Sequence, residues 1–321
     1  MRNTDDPQKG DAAAGNNADH RQGRLALVVA ILLGLAVAVA LAVTVGPWAM
    51  GPTEPKPAQD TGDELFATAE TAGLPPGTVL SDYTGPCRIT IPDTVIDAKQ
   101  VGCGPLQIEA SGVVIERSLI TGGIYADAGG AGSFTITDST VDMGPGDGTG
   151  IGDARFVATR VEVTGGNRSV NCFLNCTIAE SYVHGQFRDG TGQFHESGIR
   201  MGAHAVIRGN IIACDAPDVA PDAGCSAALT GYGDFAVVQD NVIDGNLFIG
   251  GSGGYCAYGG STAGKPFSGA TRDIRFTNNV WQRGASGKCG FWGPITSFDS
   301  DAPGNVWSNN RWEDGTLVES G

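Results

Sequence analysis

The sequence is poor in aromatic and charged residues, which make up 7% and 17% of its 321 positions. Basic residues are fewer than acidic ones: the chain has 20 lysines and arginines and 35 aspartates and glutamates, for a formal net charge of −15 at pH 7. Proteins that bind nucleic acid usually present a basic surface, so we expect no DNA or RNA partner. Hydrophobic residues at 41% exclude a wholly disordered chain, because that much apolar surface can offset the entropy of ordering.

Glycine, in contrast, is abundant at 50 of 321 residues, about twice its ordinary share. The glycines follow no three-residue period, which excludes a collagen triple helix. Length decides little, because 321 residues is long for one domain and short for two.

One long hydrophobic run divides the chain. Residues 25–45 carry no charge, and as a helix they would span roughly 30 Å, the thickness of the bilayer's hydrocarbon layer. Arg21 and Arg24 precede the run and the next base is Lys56, which predicts a cytoplasmic N-terminus and an extracellular C-terminal domain. We therefore predict a single-pass cell-membrane protein whose uncleaved signal anchor contacts the lipid bilayer. A cleaved signal peptide is the alternative, although its apolar region would normally be shorter.

The flanking segments fit this organisation. Residues 1–24 mix four acids and four bases with Gly, Asn and Gln, which predicts a disordered cytoplasmic tail. Residues 46–75 are rich in proline and are predicted to form a stiff linker. Residues 76–321 remain as the folded domain.

All eight cysteines follow the hydrophobic run, on the side predicted to be oxidising, so we predict disulfide bonds. A zinc site would need C-x2-C pairs or a matching Cys/His set, and the C-x3-C spacing of Cys172 and Cys176 fits poorly. The cysteines are Cys87, Cys103, Cys172, Cys176, Cys214, Cys225, Cys256 and Cys289.

A short pattern recurs nine times between residues 88 and 313. Each copy has an apolar residue, two variable positions, a small polar residue, one variable position and a second apolar residue. The polar position is Ser, Thr or Asn in eight of the nine copies. We assign it to Thr94, Ser118, Ser139, Val161, Ser181, Asn210, Asn241, Asn279 and Asn310.

The spacing between copies begins near 21 residues and grows later in the chain, which fits three short strands and three turns per coil. A helical repeat would need about 33 residues or more and a 3.6-residue period, and neither appears here. Leucine-rich repeats need a dense Leu pattern, which is also absent. The small polar residue is expected at a tight bend, in a left-handed conformation, bonded to its counterpart in the next coil. The pattern therefore predicts an all-β protein: a right-handed parallel β-helix solenoid of about nine coils, preceded by a single transmembrane α-helix.

From about residue 80 to the end, the sequence resembles the pectate-lyase-like β-helix superfamily through its Asn-bearing bends. The strings HESGIR (195–200), GNII (209–212) and GNVWSNNRWEDG (304–315) resemble a group of bacterial secreted β-helix proteins with no settled activity. The resemblance implies the fold but no single activity, because the superfamily includes lyases, glycoside hydrolases, pectin methylesterases and non-catalytic spikes. It also implies Ca²⁺ as a cofactor, which an acidic domain would suit.

Ionisable side chains concentrate in one predicted coil, beside a Gly-rich loop over residues 185–197 that should lie at the surface. Three of the four histidines fall within 21 residues there. The cluster contains His184, Arg188, Asp189, His195, Glu196, Arg200 and His204.

We predict catalytic roles for four of these residues. In a lyase, Arg200 would neutralise the carboxylate of a uronic acid and His195 would remove the C5 proton. In a hydrolase, Asp189 and Glu196 would form the carboxylate pair. Ordinary solvated loop side chains are the alternative.

Eight residues are assigned to substrate binding or to the core. Sugar rings stack on aromatic faces, so exposed aromatics on the side of a solenoid predict a glycan platform. Substrate-binding roles are predicted for His184, Arg188, Tyr255, Tyr258 and Trp292. Trp281, Trp307 and Trp312 occupy apolar pattern positions and are assigned to the core.

The fold also predicts how the cysteines pair. Cys256 and Cys289 fall on matching strands of neighbouring coils, and Cys214 and Cys225 bracket a loop rich in Pro and Asp. Elimination leaves the pairs Cys87–Cys103 and Cys172–Cys176.

We expect this domain to bind a polysaccharide or cell-wall glycan and, if the ionisable cluster is catalytic, to cleave it as a lyase or hydrolase. A non-catalytic structural or adhesion module at the cell surface is the alternative, and a partner of a larger membrane assembly is a third hypothesis. The net charge of −15 favours a neutral glycan over a polyuronate, unless Ca²⁺ bridges the two.

Overall fold

Short parallel strands form nearly all of the regular structure. The computed structural model describes residues 66–68 and 70–320, which contain 23 strands and one 3₁₀ helix, Ser268–Ala270. The strands are β1 (Ser81–Asp82), β2 (Arg88–Ile89), β3 (Val95–Asp97), β4 (Lys99–Gly102), β5 (Leu106–Ile108), β6 (Val113–Glu116), β7 (Leu119–Thr121), β8 (Ile124–Ala126), β9 (Phe134–Asp142), β10 (Thr149–Thr164), β11 (Arg168–Ala179), β12 (Tyr182–Val183), β13 (His195–Arg208), β14 (Ile211–Ile212), β15 (Gly224–Thr230), β16 (Gln239–Asp244), β17 (Leu247–Phe248), β18 (Tyr255–Tyr258), β19 (Arg272–Thr277), β20 (Val280–Trp281), β21 (Gly293–Thr296), β22 (Val306–Ser308) and β23 (Arg311–Trp312).

These strands form three ladders of parallel pairs, and one passage of the chain through all three is called a coil. Ladder A contains β3, β6, β9, β10, β11, β13, β16, β19 and β22. Ladder B contains β1, β4, β7, β9, β10, β12, β14, β17, β20 and β23. Ladder C contains β2, β5, β8, β10, β11, β13, β15, β18 and β21. The domain is thus an all-β, parallel solenoid-like structure consistent with a β-helix, as the repeat predicts.

The core lies between the ladders because alternate side chains of each strand point inward. In β6, for example, Val113 and Ile115 are buried while Val114 and Glu116 are partly exposed. Burying a large aliphatic side chain contributes about 1.5–3 kcal/mol. One inward row of ladder A, stacked coil on coil, contains Ile96, Ile115, Ile136, Ala158, Ile178, Ile207, Ile243 and Phe276.

A row of buried polar side chains joins successive coils at the bend between ladders A and B. The main-chain N–H of Ser118 donates to Ser139 Oγ at 3.0 Å, and that of Asn246 donates to Asn279 Oδ1 at 2.9 Å. We call this the polar row, and its side chains are at most 1% exposed. The polar row contains Ser118, Ser139, Ser181, Asn210, Asn246, Asn279 and Asn310.

Two of the nine assigned polar positions are wrong. Asn246, and not Asn241, occupies the polar row, since Asn210 N donates to Asn246 Oδ1 at 3.1 Å. In the first coil the position belongs to Lys99 instead of Thr94, since Lys99 N donates to Ser118 Oγ. The apolar spacing of both segments fits the pattern twice in succession: Ile243 and Ile96 each end one match and begin another, so the assigned position falls five residues before the true bend.

The left-handed residue at these bends precedes the polar residue, whereas the sequence pattern assigns that conformation to the polar residue itself. Arg117, Glu180 and Asn278 have φ of 44°, 50° and 56°, and Gly245 has φ of 60°. The preceding residue turns the chain, so that the polar side chain points inward to the neighbouring coil. Asn278 is an ordinary occupant of this conformation, and Gly245 avoids its steric cost altogether.

The four predicted disulfide pairings are confirmed. Each joins two cysteines whose Cα atoms lie 5.6–5.8 Å apart. The pairs are Cys87–Cys103, Cys172–Cys176, Cys214–Cys225 and Cys256–Cys289. The Cys214–Cys225 bond closes the loop 215–224 beside ladder C.

The predicted localisation as a single-pass membrane protein is corrected. Among the described residues, no helix is long and apolar enough to cross a bilayer, since the chain there is folded into short strands. The predicted tail (1–24) and span (25–45) lie outside the described residues. Part of the predicted linker is described: Gly73 N donates to Arg160 O and Leu74 N donates to Thr140 Oγ1, both at 3.0 Å.

Replacing Asn246 with Asp should lower the free energy of unfolding by about 2–4 kcal/mol. The side-chain amide of Asn246 donates to Ile207 O and Asn279 Oδ1, and a carboxylate would set oxygen against oxygen at both contacts. Urea unfolding followed by circular dichroism measures the loss.

Asn175→Asp is the matched control, since Asn175 is exposed and already left-handed. Equal stability of the Asn246→Asp and Asn175→Asp variants would contradict a structural role for the polar row.

Candidate functional site

A groove runs over the outer face of ladder C, across β13, β15, β18 and β21. Its centre is a cavity of about 680 Å³ lined by His195, Tyr255, Tyr258, Trp292 and the loop 218–226. A cavity of about 410 Å³ at one end shares His195 and Tyr258 with the centre, and a cavity of about 830 Å³ at the other end shares Trp292. These three neighbouring cavities are called the groove.

The floor of the groove is set by strand register. Leu229 pairs with Ala257, and Ala257 pairs with Ile295. All three side chains are buried in the core, so the adjacent Tyr258 faces outward. The residues that must face the core therefore determine which of their neighbours in each strand face the groove.

One wall of the groove is the loop 215–224, which the Cys214–Cys225 bond closes. Within it, Val219 and Ala223 form an antiparallel bridge with two main-chain hydrogen bonds of 2.9 Å. The exposed carboxylates of Asp218 and Asp222 therefore project from a constrained loop.

The aromatic residues of the groove come from three coils. Trp292 is 65% exposed, and its neighbour Phe291 packs edge-on against it with ring centroids 4.5 Å apart. Tyr258 packs edge-on against Tyr232 at 4.8 Å and Tyr255 at 6.2 Å. Burial raises the pKa of Tyr258 above its ordinary value and that of Tyr232 to about 12, so both phenols are neutral near pH 7. They offer apolar ring surface together with a hydroxyl donor.

Of the four residues with predicted catalytic roles, His195 alone lines the groove. Its side chain is 54% exposed, and Nε2 lies 3.4 Å from Asp222 Oδ2. An imidazole in this position can accept a proton from a bound molecule.

Arg200 faces outward, as period-2 alternation predicts, but its charge is already paired. Its guanidinium donates to the carboxylate of Asp234 and lies over the rings of Tyr232 and Phe235, at 5.5 and 5.1 Å from their centroids. The side chain is 16% exposed and lines a small cavity beside the groove.

Asp189 and Glu196 are both buried, and neither lines the groove. Burial acts to raise the pKa of Asp189, but hydrogen bonds from the main chain of Phe194, Thr191 and Gln193 and from the Thr191 hydroxyl lower it overall. Asp189 therefore organises its own loop. Both carboxyl oxygens of Glu196 lack a hydrogen-bond partner, and burial raises its pKa.

The two other polar residues with predicted substrate-binding roles lie away from the groove. His184 follows β12 in ladder B, where Nε2 lies 3.0 Å from Glu162 Oε1 and the ring stacks on Tyr182. Arg188 is exposed on its loop. His204 lies 3.6 Å from Asp240, so the three clustered histidines do not come together.

No group of three His, Cys, Asp or Glu residues is arranged to hold a metal ion in the part of the chain that the structure describes. A calcium cofactor therefore stays a prediction from the resemblance.

Sequence reasoning missed Arg168 and Lys265, which line the 410 Å³ cavity at the end of the groove together with His195. Arg168 precedes the predicted cluster by 16 positions, but strand register places it opposite Ser197, two residues after His195. Correct pairing of β11 with β13 would have found it.

Comparison of the chain with protein-family models, curated proteins and solved structures finds no significant match. What the chain does is therefore inferred from the groove.

Glu196→Gln should flatten the dependence of stability on pH. Because burial raises the pKa of Glu196, the native state holds this proton more tightly than the unfolded state does. The wild type should therefore lose stability relative to the variant as pH rises above the ordinary value of 4.5. At lower pH the stabilities of the two proteins should change with pH in parallel. Thermal unfolding measured from pH 4 to pH 8 tests this.

Glu319→Gln, at an exposed position, is the control and should follow the wild type. A parallel pH profile for wild type and Glu196→Gln would show that burial of this carboxyl group has no energetic consequence.

Proposed function

We propose that the domain is a right-handed parallel β-helix of about nine coils, of the pectate-lyase-like kind, that binds a polysaccharide chain in the groove. The observation that carries the proposal is the convergence of Tyr255 and Tyr258 from β18, His195 from β13 and Trp292 from the residue before β21. Exposed aromatic faces beside carboxylates and hydroxyls suit a sugar, which presents apolar ring faces and polar edges.

The extent of the groove favours a chain over a single sugar. Its central cavity of about 680 Å³ is within the usual size for one small ligand, and cavities of about 410 and 830 Å³ adjoin it. Trp292 lies between the central and the largest cavity, where its ring could support one unit of a chain that continues on both sides. Disulfide closure of the wall supports a preformed site with a low ordering cost.

Cleavage is a second candidate function, favoured by the exposed His195 near Arg168 and Lys265. In a lyase reaction His195 would remove the proton at C5, a C4–C5 double bond would form and the C4–O bond would break. Arg168 or Lys265, instead of the paired Arg200, would neutralise the sugar carboxylate, and Tyr258 or water would protonate the leaving oxygen. Glycan binding without cleavage is the alternative, as in a structural or adhesion module.

Trp292→Ala and Tyr255→Ala should each weaken glycan binding about tenfold, equal to about 1.4 kcal/mol, because each removes a stacking face. A panel of neutral and acidic oligosaccharides identifies a ligand, and titration calorimetry then measures its affinity for each variant.

Phe267→Ala is the control, since Phe267 is 40% exposed but does not line the groove. Binding that survives in both groove variants, or is lost equally in Phe267→Ala, would place the glycan elsewhere.

His195→Ala should abolish cleavage, with a loss of at least about 100-fold, while leaving glycan affinity within a few-fold. Unsaturated ends released from an acidic glycan would indicate a lyase, and reducing ends without unsaturation would indicate a hydrolase. His204→Ala, outside the groove, is the control. Undiminished cleavage by His195→Ala would exclude it as the base, and no cleavage by the wild type would favour the binding module.

A further inference from the structure

Two arginines face a small cavity of about 140 Å³ beside the groove. Arg168 begins β11 and Arg200 lies in the neighbouring β13, three residues beyond the register partner of Arg168, Ser197. We call this cavity the arginine pocket. The polar and aromatic side chains around it are Arg168, Asn171, Phe173, Arg200, Tyr232, Asp234 and Phe235.

The arginine pocket has one more positive charge than negative charge. Asp234 is its one carboxylate and accepts a hydrogen bond from Arg200. Asp153 lies near Arg168 but outside the pocket lining, and it keeps its negative charge while its carboxylate accepts a hydrogen bond from the Asn171 amide, so the excess of positive charge is confined to the lining. A local excess of positive charge is unexpected in a chain of net charge −15.

Arg168 is the unpaired member. It has no ion-pair partner within the described part of the chain, and its buried Nε has no hydrogen-bond partner. Burial lowers the pKa of Arg168 below its ordinary value, and repulsion from Arg200 lowers it further by a smaller amount. The side chain as a whole is partly exposed, but a buried N–H without a partner is costly, and a bound anion would satisfy it.

We propose that Arg168 and Arg200 bind a single oxyanion (a sulfate, phosphate or carboxylate group) in the arginine pocket. The planar guanidinium of Arg168 offers Nε–H and terminal N–H donors in the fork that matches two oxygens of such a group. Arg200 keeps its bond to Asp234 and contributes charge. Arg168 also lines the end of the groove, so the anion can be a free ion or a substituent on a sugar held there.

The site does not depend on glycan binding, so free sulfate is the first probe. Titration calorimetry of the full-length protein with sodium sulfate, at constant ionic strength set with chloride, should give saturable binding. Arg168→Gln should weaken it about tenfold or more, and Arg168→Lys should do so in part, because lysine keeps the charge without the fork. Asp234→Asn should tighten it, because a competing carboxylate is removed.

Arg160→Gln is the control, since Arg160 pairs with Asp138 at the bend between ladders A and B and lies outside the pocket. Circular dichroism establishes that each variant is folded. Absence of saturable sulfate binding, or equal affinity in wild type and Arg168→Gln, would overturn the proposal.

A second arm compares free sulfate and acetate with a sulfated sugar and a uronic acid. Equal affinity for free and sugar-linked anions would assign the pocket to a free ion. Tighter binding of the sugar-linked form, lost in Trp292→Ala, would assign it to a glycan substituent. Sulfate binding without any glycan binding would refute the proposed function while leaving this site intact.

Discussion

The structure depends on one repeated interaction, in which the main-chain N–H at a bend donates to a polar side chain of the next coil. The strand ladders are interrupted at the bend, where an unpaired buried N–H would be costly. Ser118, Ser181, Asn246 and Asn279 each donate in this way at 2.9–3.2 Å. The bond fixes each coil against the next, and parallel pairing then carries the same register into all three ladders.

Register determines the groove. Because Leu229, Ala257 and Ile295 must face the core, their outward neighbours fall in a fixed order along ladder C. The longer segments between strands, such as 213–223 and 282–292, contribute residues to the walls beside this ladder. Strands form the floor of the groove and loops form its walls, an arrangement that proteins commonly use for binding. The excess charge at Arg168 follows from the same register, which places it beside Arg200.

Much of the fold is predictable from the sequence, because buried rows repeat: Ile115 and Ile136 stack as the pattern predicts. The pattern alone cannot distinguish Asn241 from Asn246, since it matches twice in that segment. Tyr255, Tyr258 and Trp292 line one cavity because Tyr255 and Tyr258 share a strand and Trp292 precedes Gly293, the register partner of Tyr255. Arg200 is different: its partner Asp234 is 34 residues away on a loop, so the sequence does not reveal that its charge is paired. Likewise, Glu196 and His195 are neighbours in sequence, but strand alternation points Glu196 into the core and His195 out to the groove.

Amide hydrogen exchange with and without a bound oligosaccharide tests the central claim most directly. If register places the binding surface on ladder C, added protection should appear in residues 218–226, 254–258 and 290–293. The outer positions of ladder A, such as 114–116 and 135–137, should exchange at unchanged rates. Protection centred on ladder A or B, with none at Trp292, would contradict the account.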